Sequence, residues 1–296
     1  MTINKEKKRA LVTGLTGFTG RYMAEELTSH GFEVSGFGQE LDLLNQEALT
    51  QFVAKIRPHV VIHLAAIASV ETTNVDLLYQ VNILGTRHLL EAILKEAPDI
   101  EAVLIASSAN VYGNSAKEAC PLTELDVPCP ANDYAVSKLA MEHMTRLWFD
   151  RLPIVITRPF NYTGVGQSVQ VLLPKIVQAF REGKKELELG NLDVSRDFND
   201  VRSVVNAYRR LIEVCPRGTT VNICSGTMYS LQEIVSMMGD IAGYSMKIKS
   251  DSRFVRLHEV KSLKGSPEYL QSLIGNWSSP PLKATLEWMY HYSQKL

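Results

Sequence analysis

Short apolar runs alternate with amphipathic stretches through the first half of the chain. Arg9 to Thr13, Phe32 to Phe37, Pro58 to Ala65, Ala102 to Ala106 and Ile154 to Thr157 are apolar at most positions, which predicts strands buried on both faces. Between them, Arg21 to Ser29 places Met23, Ala24 and Leu27 on one helical face and stops at His30-Gly31. Asn45 to Ile56, Asp76 to Glu96 and Ser137 to Asp150 also read as helices. This alternation predicts a parallel sheet with helices on each side. After Arg158 the pattern loosens. Helices are predicted at Leu172 to Arg181, Val201 to Val214, Ser230 to Ala242 and Ala284 to Ser293. Strands are predicted at Leu187 to Leu189, Val221 to Cys224 and Met246 to Ser250, and a main boundary falls near Asn161.

Composition narrows the class. The formal net charge of −1 gives no electrostatic case for nucleic acid or for a membrane surface. The four cysteines form no Cys-x-x-Cys pair and lack histidines at zinc spacing, so free thiols in a reducing compartment are expected and no metal is. The charged start runs straight into a strand without a signal-peptide core, and no apolar run spans a bilayer, so the expected location is the cytoplasm.

Two motifs carry chemistry. Gly14-Leu-Thr-Gly17-Phe-Thr-Gly20 joins the first strand to the first helix. The alternative for a glycine triplet is an ordinary turn, but at this junction the spacing predicts a dinucleotide site. The first glycine permits the tight turn, the second lets backbone N–H groups approach a pyrophosphate, and the third lets helix and strand pack closely. Farther on, Tyr134-Ala-Val-Ser-Lys138 opens a helix, where residues i and i+4 share a face. A free phenol has a pKa of about 10, and a nearby ammonium is expected to bring it toward working range.

The glycine spacing resembles that of the extended short-chain dehydrogenase/reductases, the NAD-dependent epimerase/dehydratase family. So do His63-Leu-Ala-Ala66 at the end of the third strand, Asn82 in the central helix and Asp42 in Leu41-Asp-Leu43. The resemblance implies a Rossmann-type doubly wound parallel sheet, residues 1–160, with a smaller mixed α/β substrate-binding C-terminal domain, residues 161–296. The chain is expected to return to the first part around residues 197–226. The resemblance also implies NADP(H) or NAD(H), held by Gly14, Thr16, Gly17, Phe18, Thr19, Gly20, Asp42, Leu43, Leu64, Ala65, Ala66 and Phe160 with Tyr134 and Lys138. In the family the active Ser or Thr stands five residues before a glycine, which selects Ser108 over Ser107 in Ser107-Ser108-Ala-Asn110-Val-Tyr-Gly113. The set Ser108, Tyr134 and Lys138 implies hydride-coupled proton transfer at a carbonyl or alcohol.

Related 4,6-dehydratases carry acids right after the active hydroxyl. Ala109 and Asn110 stand there instead and neither serves as acid or base, which leaves keto-sugar reduction or 4-epimerisation. Five stretches resemble GDP-4-keto-6-deoxy-D-mannose reductases: Arg158 to Asn161, Thr163 to Gln167, Gly190 to Phe198, Asn222 to Gly226, and Arg256 to Glu259 with Gly265-Ser266. The loop after Asn161 departs from them at Tyr162 and Val165. The resemblance implies a nucleotide-diphosphate sugar contacted by Asn110, Asn161, Asn191, Arg196, Arg256 and Glu259. Guanidinium forks suit a diphosphate, although an ion pair of Arg196 with Asp197 or Asp200 is the plainer expectation from residue types. Reduction of GDP-4-keto-6-deoxy-D-mannose to GDP-D-rhamnose is the leading expectation. A UDP-sugar 4-epimerase and a dTDP- or UDP-4-keto-sugar reductase are the alternatives. The second strand ends Gly36-Phe-Gly38 with no carboxylate at the ribose position, and Arg21 follows the loop, which leans toward NADPH with NADH tolerated. The family also implies a homodimer through a four-helix bundle of the helices near residues 76–96 and 137–150.

Overall fold

A computed structural model of the chain describes residues 7–68, 74–115, 120–251, 260 and 262–292. Six strands form one parallel sheet in the order β2-β1-β3-β4-β5-β9: β1 Arg9–Thr13, β2 Glu33–Phe37, β3 Val60–His63, β4 Ala102–Ala106, β5 Ile154–Pro159 and β9 Thr219–Ile223. Its apolar strands alternate faces with the period of a pleat. Ala10, Val12, Val60, Ile62, Ala102 and Leu104 point into one core. Leu11, Val61, Val103, Ile105, Ile154 and Ile156 point into the other. The first core is closed by α1 (Phe18–Ser29), α7 (Val201–Val214) and α9 (Glu268–Ile274). The second is closed by α2 (Gln46–Ile56), α4 (Thr86–Glu96) and α5 (Asp133–Arg146). Both faces are covered, which is the doubly wound arrangement expected.

The winding reverses between β1 and β3, and in such sheets ligands bind outside the carboxyl ends of the strands at that point. There Thr13 Oγ1 is hydrogen-bonded to His63 Nδ1 at 2.7 Å, and His63 Nε2 to Thr86 Oγ1 at 2.9 Å. Burial brings the His63 pKa down to about 3, so the ring is a neutral tie between sheet and helix rather than a proton carrier.

The helix predicted over residues 76–96 is interrupted. α3 (Val75–Tyr79) runs into a π turn, Gln80–Gly85, and then into α4. The amide of Asn82, in that turn, accepts from Ile67 N at 2.9 Å and donates to Ile67 O at 3.1 Å and Ser137 Oγ at 3.0 Å. One buried side chain thus binds the loop after β3 to α5, and widened turns of this kind recur at functional sites.

A separate core lies beyond β5, where α6 (Leu172–Arg181), α8 (Leu231–Ala242) and α10 (Leu282–His291) pack on β7 (Glu186–Leu189), β8 (Ser195–Asp200) and β11 (Lys247–Ser250). β8 is the hub, antiparallel to β10 (Met228–Ser230) and parallel to β12 (Ser262–Leu263) and β6 (Asn161–Thr163). α8 opens with a capping box of Ser230 and Glu233. β9 pairs with β5, so the chain returns to the large sheet through α7 and β9. No helix among the described residues is long and apolar enough to cross a membrane.

Candidate active site

The glycine loop turns back on itself, with Gly17 N donating to Gly14 O at 3.0 Å and Leu15 N to Phe37 O at 2.9 Å. Gly14 has a left-handed φ of 71°, and a Cβ there would sit 3.0 Å from Ala65 N, so β1 and the loop after β3 meet backbone to backbone. α1 is preceded by Gly17, which offers no side-chain cap, and has no acid in its first turn. Its first N–H groups therefore suit a phosphate, and the loop fits the dinucleotide implied by the sequence. Gly14, Gly17, Gly20, Thr16, Phe18 and Thr19 would line the pyrophosphate side.

The other cofactor candidates fall around this loop. Leu64 N donates to Thr13 O at 3.3 Å and Ala65 N to Thr13 Oγ1 at 3.1 Å, which fixes the Leu64-Ala65-Ala66 turn over β1. Asp42 accepts from Leu44 N at 2.9 Å, within its own turn. Leu43 is buried with its side chain against Gly85. Phe160 is buried beside Tyr112, Cys224 and Gly265. At the end of β2 the Glu40 carboxylate accepts from Gly38 N at 2.8 Å, and that bond holds its pKa below the ordinary value. Arg21 Nε donates to Thr16 O at 3.1 Å.

α5 begins at Asp133, as the reading that Tyr134 opens a helix implied and ahead of the Ser137 start that the apolar pattern gave, because the Asn132 side chain caps it by accepting from Ala135 N at 2.9 Å. Tyr134 therefore lies in the first turn, and its phenol comes near enough to the Ser108 hydroxyl, just past β4, for Ser108 to pull its pKa down against burial. Lys138, one turn on, donates from Nζ to Ala106 O at 2.8 Å. The structure thus brings the three catalytic candidates to the carboxyl end of β4. The electrostatics differ from the expectation that Lys138 lowers the Tyr134 pKa. Burial raises Tyr134 to about 12, with Ser108 opposing, and burial lowers Lys138 to about 8, with Glu142 opposing. Desolvation outweighs the charge on the neighbouring turn, so Tyr134 rests as a protonated phenol.

On the substrate side, Asn110 N donates to Ser108 Oγ at 3.2 Å within the 3₁₀ turn Ala109–Ser115. Asn161 opens β6, and its carbonyl accepts from Asn199 Nδ2 at 3.2 Å. Asn191 is half-buried ahead of β8. Arg196, on β8, donates to Ser195 O and Val260 O. Its acidic neighbours have other partners: Asp197 accepts from Ser225 N at 3.0 Å and Gly226 N at 2.7 Å, and Asp200 pairs with Arg202 at 2.6 Å. Arg256 and Glu259 lie outside the described residues.

Tyr162 has a place in the site that residue spacing did not show. It stacks on Phe18 with centroids 6.2 Å apart, and its hydroxyl is hydrogen-bonded to Thr19 at 2.9 Å. It joins the first turn of α1 to β6 across residues far apart in sequence. Its position next to Asn161 was the available signal.

The sequence model of the NAD dependent epimerase/dehydratase family matches residues 10–224. The chain belongs to that family. GDP-6-deoxy-D-talose 4-dehydrogenase from Aggregatibacter actinomycetemcomitans is 36% identical over 95% of this chain and 97% of its own. GDP-6-deoxy-D-mannose reductase from Pseudomonas aeruginosa is 34% identical over 90% of this chain and 91% of its own. The structure of RMD from Pseudomonas aeruginosa complexed with NADPH superposes with a TM-score of 0.85 and 32% identity, over 96% of each chain.

Proposed function

We propose that this protein is an NAD(P)H-dependent nucleotide-sugar reductase. It reduces the C4 keto group of a GDP-linked 6-deoxy-hexos-4-ulose, turning GDP-4-keto-6-deoxy-D-mannose into GDP-D-rhamnose. The observation that carries the reading is the buried, protonated Tyr134 phenol brought together with Ser108 and Lys138 at the carboxyl end of β4, beside a loop built for a dinucleotide. Reduction consumes a proton at the carbonyl oxygen, and a phenol with a pKa near 12 holds that proton at neutral pH. When bound, the nicotinamide supplies the hydride. Ser108 donates to the same oxygen and orients it, and Lys138, with a pKa near 8, returns a proton to Tyr134. Ala109 and Asn110 offer no acid for proton removal at neighbouring sugar carbons, which separates this site from dehydration.

NADPH is the favoured reductant, with NADH tolerated. Arg21 at the glycine loop and the NADPH-bound relative support this choice, and the Glu40 carboxylate at the end of β2 favours the competitor. The test is turnover of GDP-4-keto-6-deoxy-D-mannose by desalted protein, with each cofactor, and NMR of the product. Stoichiometric NADPH oxidation and a large H3–H4 coupling are expected. A small coupling would give the talo configuration, in line with the talose relative, and overturn the rhamnose assignment. Retained NAD with no net NADPH consumption would make the protein an epimerase. A kcat/KM for NADH well above that for NADPH would assign the ribose site to Glu40.

The same reading includes a homodimer through α3–α4 and α5. These neighbouring helices leave Leu84 47% and Leu147, at the α5 C-terminus, 74% exposed, apolar side chains that a partner's helices would cover. Light scattering is expected to give twice the 33.1 kDa chain mass, and Leu84→Glu with Leu147→Glu to give the monomer. A monomeric wild-type protein excludes this interface.

A further inference from the structure

Behind the site lies an ion pair with almost no exposure to water. Glu142, on the Lys138 face of α5, accepts from Arg158 Nε at 2.9 Å and Nη2 at 2.7 Å in a bidentate fork. The pair is not closed on itself. Ser107 Oγ donates to Glu142 Oε1 at 2.6 Å, and Arg158 Nη1 donates to the Tyr112 hydroxyl at 2.9 Å. The Tyr112 hydroxyl in turn donates to Asn222 Oδ1 at 2.8 Å, and the Arg158 guanidinium lies over the Tyr112 ring. Ser107 immediately precedes Ser108, and Tyr112 lies in the 3₁₀ turn that follows it.

We propose that Glu142 and Arg158 form a two-point clamp on the catalytic serine, with Ser107 and Tyr112 as positioning residues that hold the segment around Ser108 from both sides. This rests on the reading that Ser108, Tyr134 and Lys138 carry out the reduction.

A buried ion pair is commonly no more stabilising than an apolar pair of the same volume, so core stability alone does not account for placing one here. What a fully hydrogen-bonded buried network gives is a single geometry. The fixed object is also specific, since α5 carries Tyr134 and Lys138 while β4 and its turn carry Ser108. The Ser107–Glu142 bond sets the distance between these two elements. The other tether, Lys138 to Ala106 O, occupies a catalytic group; the Glu142 tether does not. Finally, sub-ångström placement of a hydrogen-bond donor decides how well it serves a transition state.

The test uses Ser107→Ala, Tyr112→Phe and their double variant, each of which removes a hydroxyl and leaves the ion pair in place. The double variant is expected to lose about 10–100-fold in kcat, while KM for the keto-sugar and Kd for NADPH stay within a few-fold. Ser107→Thr is expected to restore most of the rate. A crystal structure of the double variant with NADPH should show Ser108 Oγ displaced from Tyr134 or disordered. The proposal is overturned if the double variant keeps wild-type kcat, if KM and Kd move instead of kcat, or if Ser108 stays in place. Ser108→Ala and Tyr134→Phe run beside it: should these keep full activity, the reductase site itself is misassigned, and the crystallographic readout still decides the clamp.

Discussion

Tyr134→Phe is expected to lower kcat for keto-sugar reduction by about 10²–10⁴-fold, the usual contribution of a positioned general acid. The variant should leave the Kd for NADPH within about twofold, because the ring and its packing remain while the phenolic proton is lost. The raised pKa sharpens the expectation. Tyr134 is protonated up to about pH 12, so across the neutral range the wild-type enzyme begins each reduction with its donor loaded. Lys138 leaves its charged form near pH 8, and the alkaline fall in rate belongs to it. Pre-steady-state and steady-state measurements at pH 7 check the substitution. A variant that turns over within threefold of wild type would remove Tyr134 from the mechanism.

Gly20→Ala is expected to weaken NADPH at least about a hundredfold, or about 2.7 kcal/mol. A Cβ at this position would lie 2.1 Å from Gly14 O and 2.6 Å from Leu15 O. Both atoms are backbone within the loop, so neither can rotate away, and α1 must move off the phosphate-binding turn. Gly31→Ala is the control. Gly31 has a left-handed φ of 85° with nothing within 4 Å of its Cβ position, so the change costs only about 1 kcal/mol of backbone strain. It should lower the Tm slightly and leave NADPH affinity alone. Calorimetric titration of the two variants separates a damaged cofactor loop from a generally weakened fold. Equal affinity in Gly20→Ala and wild type would mean that the loop does not hold the dinucleotide.

The first half of the chain was largely legible because its strands are apolar and its helices amphipathic. β1 and β4 have the bounds that the apolar runs suggested, and in the second half α6 and α7 also follow the helical period from end to end. The strands around β8 were not legible. Ser195–Asp200 reads as Ser-Arg-Asp-Phe-Asn-Asp, which shows neither a buried run nor clean alternation. It forms a strand because distant groups satisfy its buried polar atoms: Asp197 takes the N–H groups of Ser225 and Gly226, and Asp200 takes the Ser279 hydroxyl at its own N–H. The π turn was hidden for a similar reason. The spacing over residues 76–96 is helical throughout, and the extra residue in the turn is accommodated by the Asn82 amide bonding Ile67 and Ser137.

By itself the sequence determined what depends on neighbouring residues. The strand pleat and the helical pitch set a doubly wound sheet, a glycine turn at the first strand–helix junction, and Tyr134 and Lys138 on one face of a helix. These follow from fixed local geometry, at a rise and a twist per residue. The tertiary structure decided what depends on packing between remote segments. It turned Ser107 toward Glu142 and left Ser108 to Tyr134. It joined Tyr162 to Thr19, and it raised the phenol and lowered the ammonium where proximity alone suggested a depressed phenol. Desolvation is summed over every element that covers a group, and those elements come from distant parts of the chain, so no local spacing encodes it.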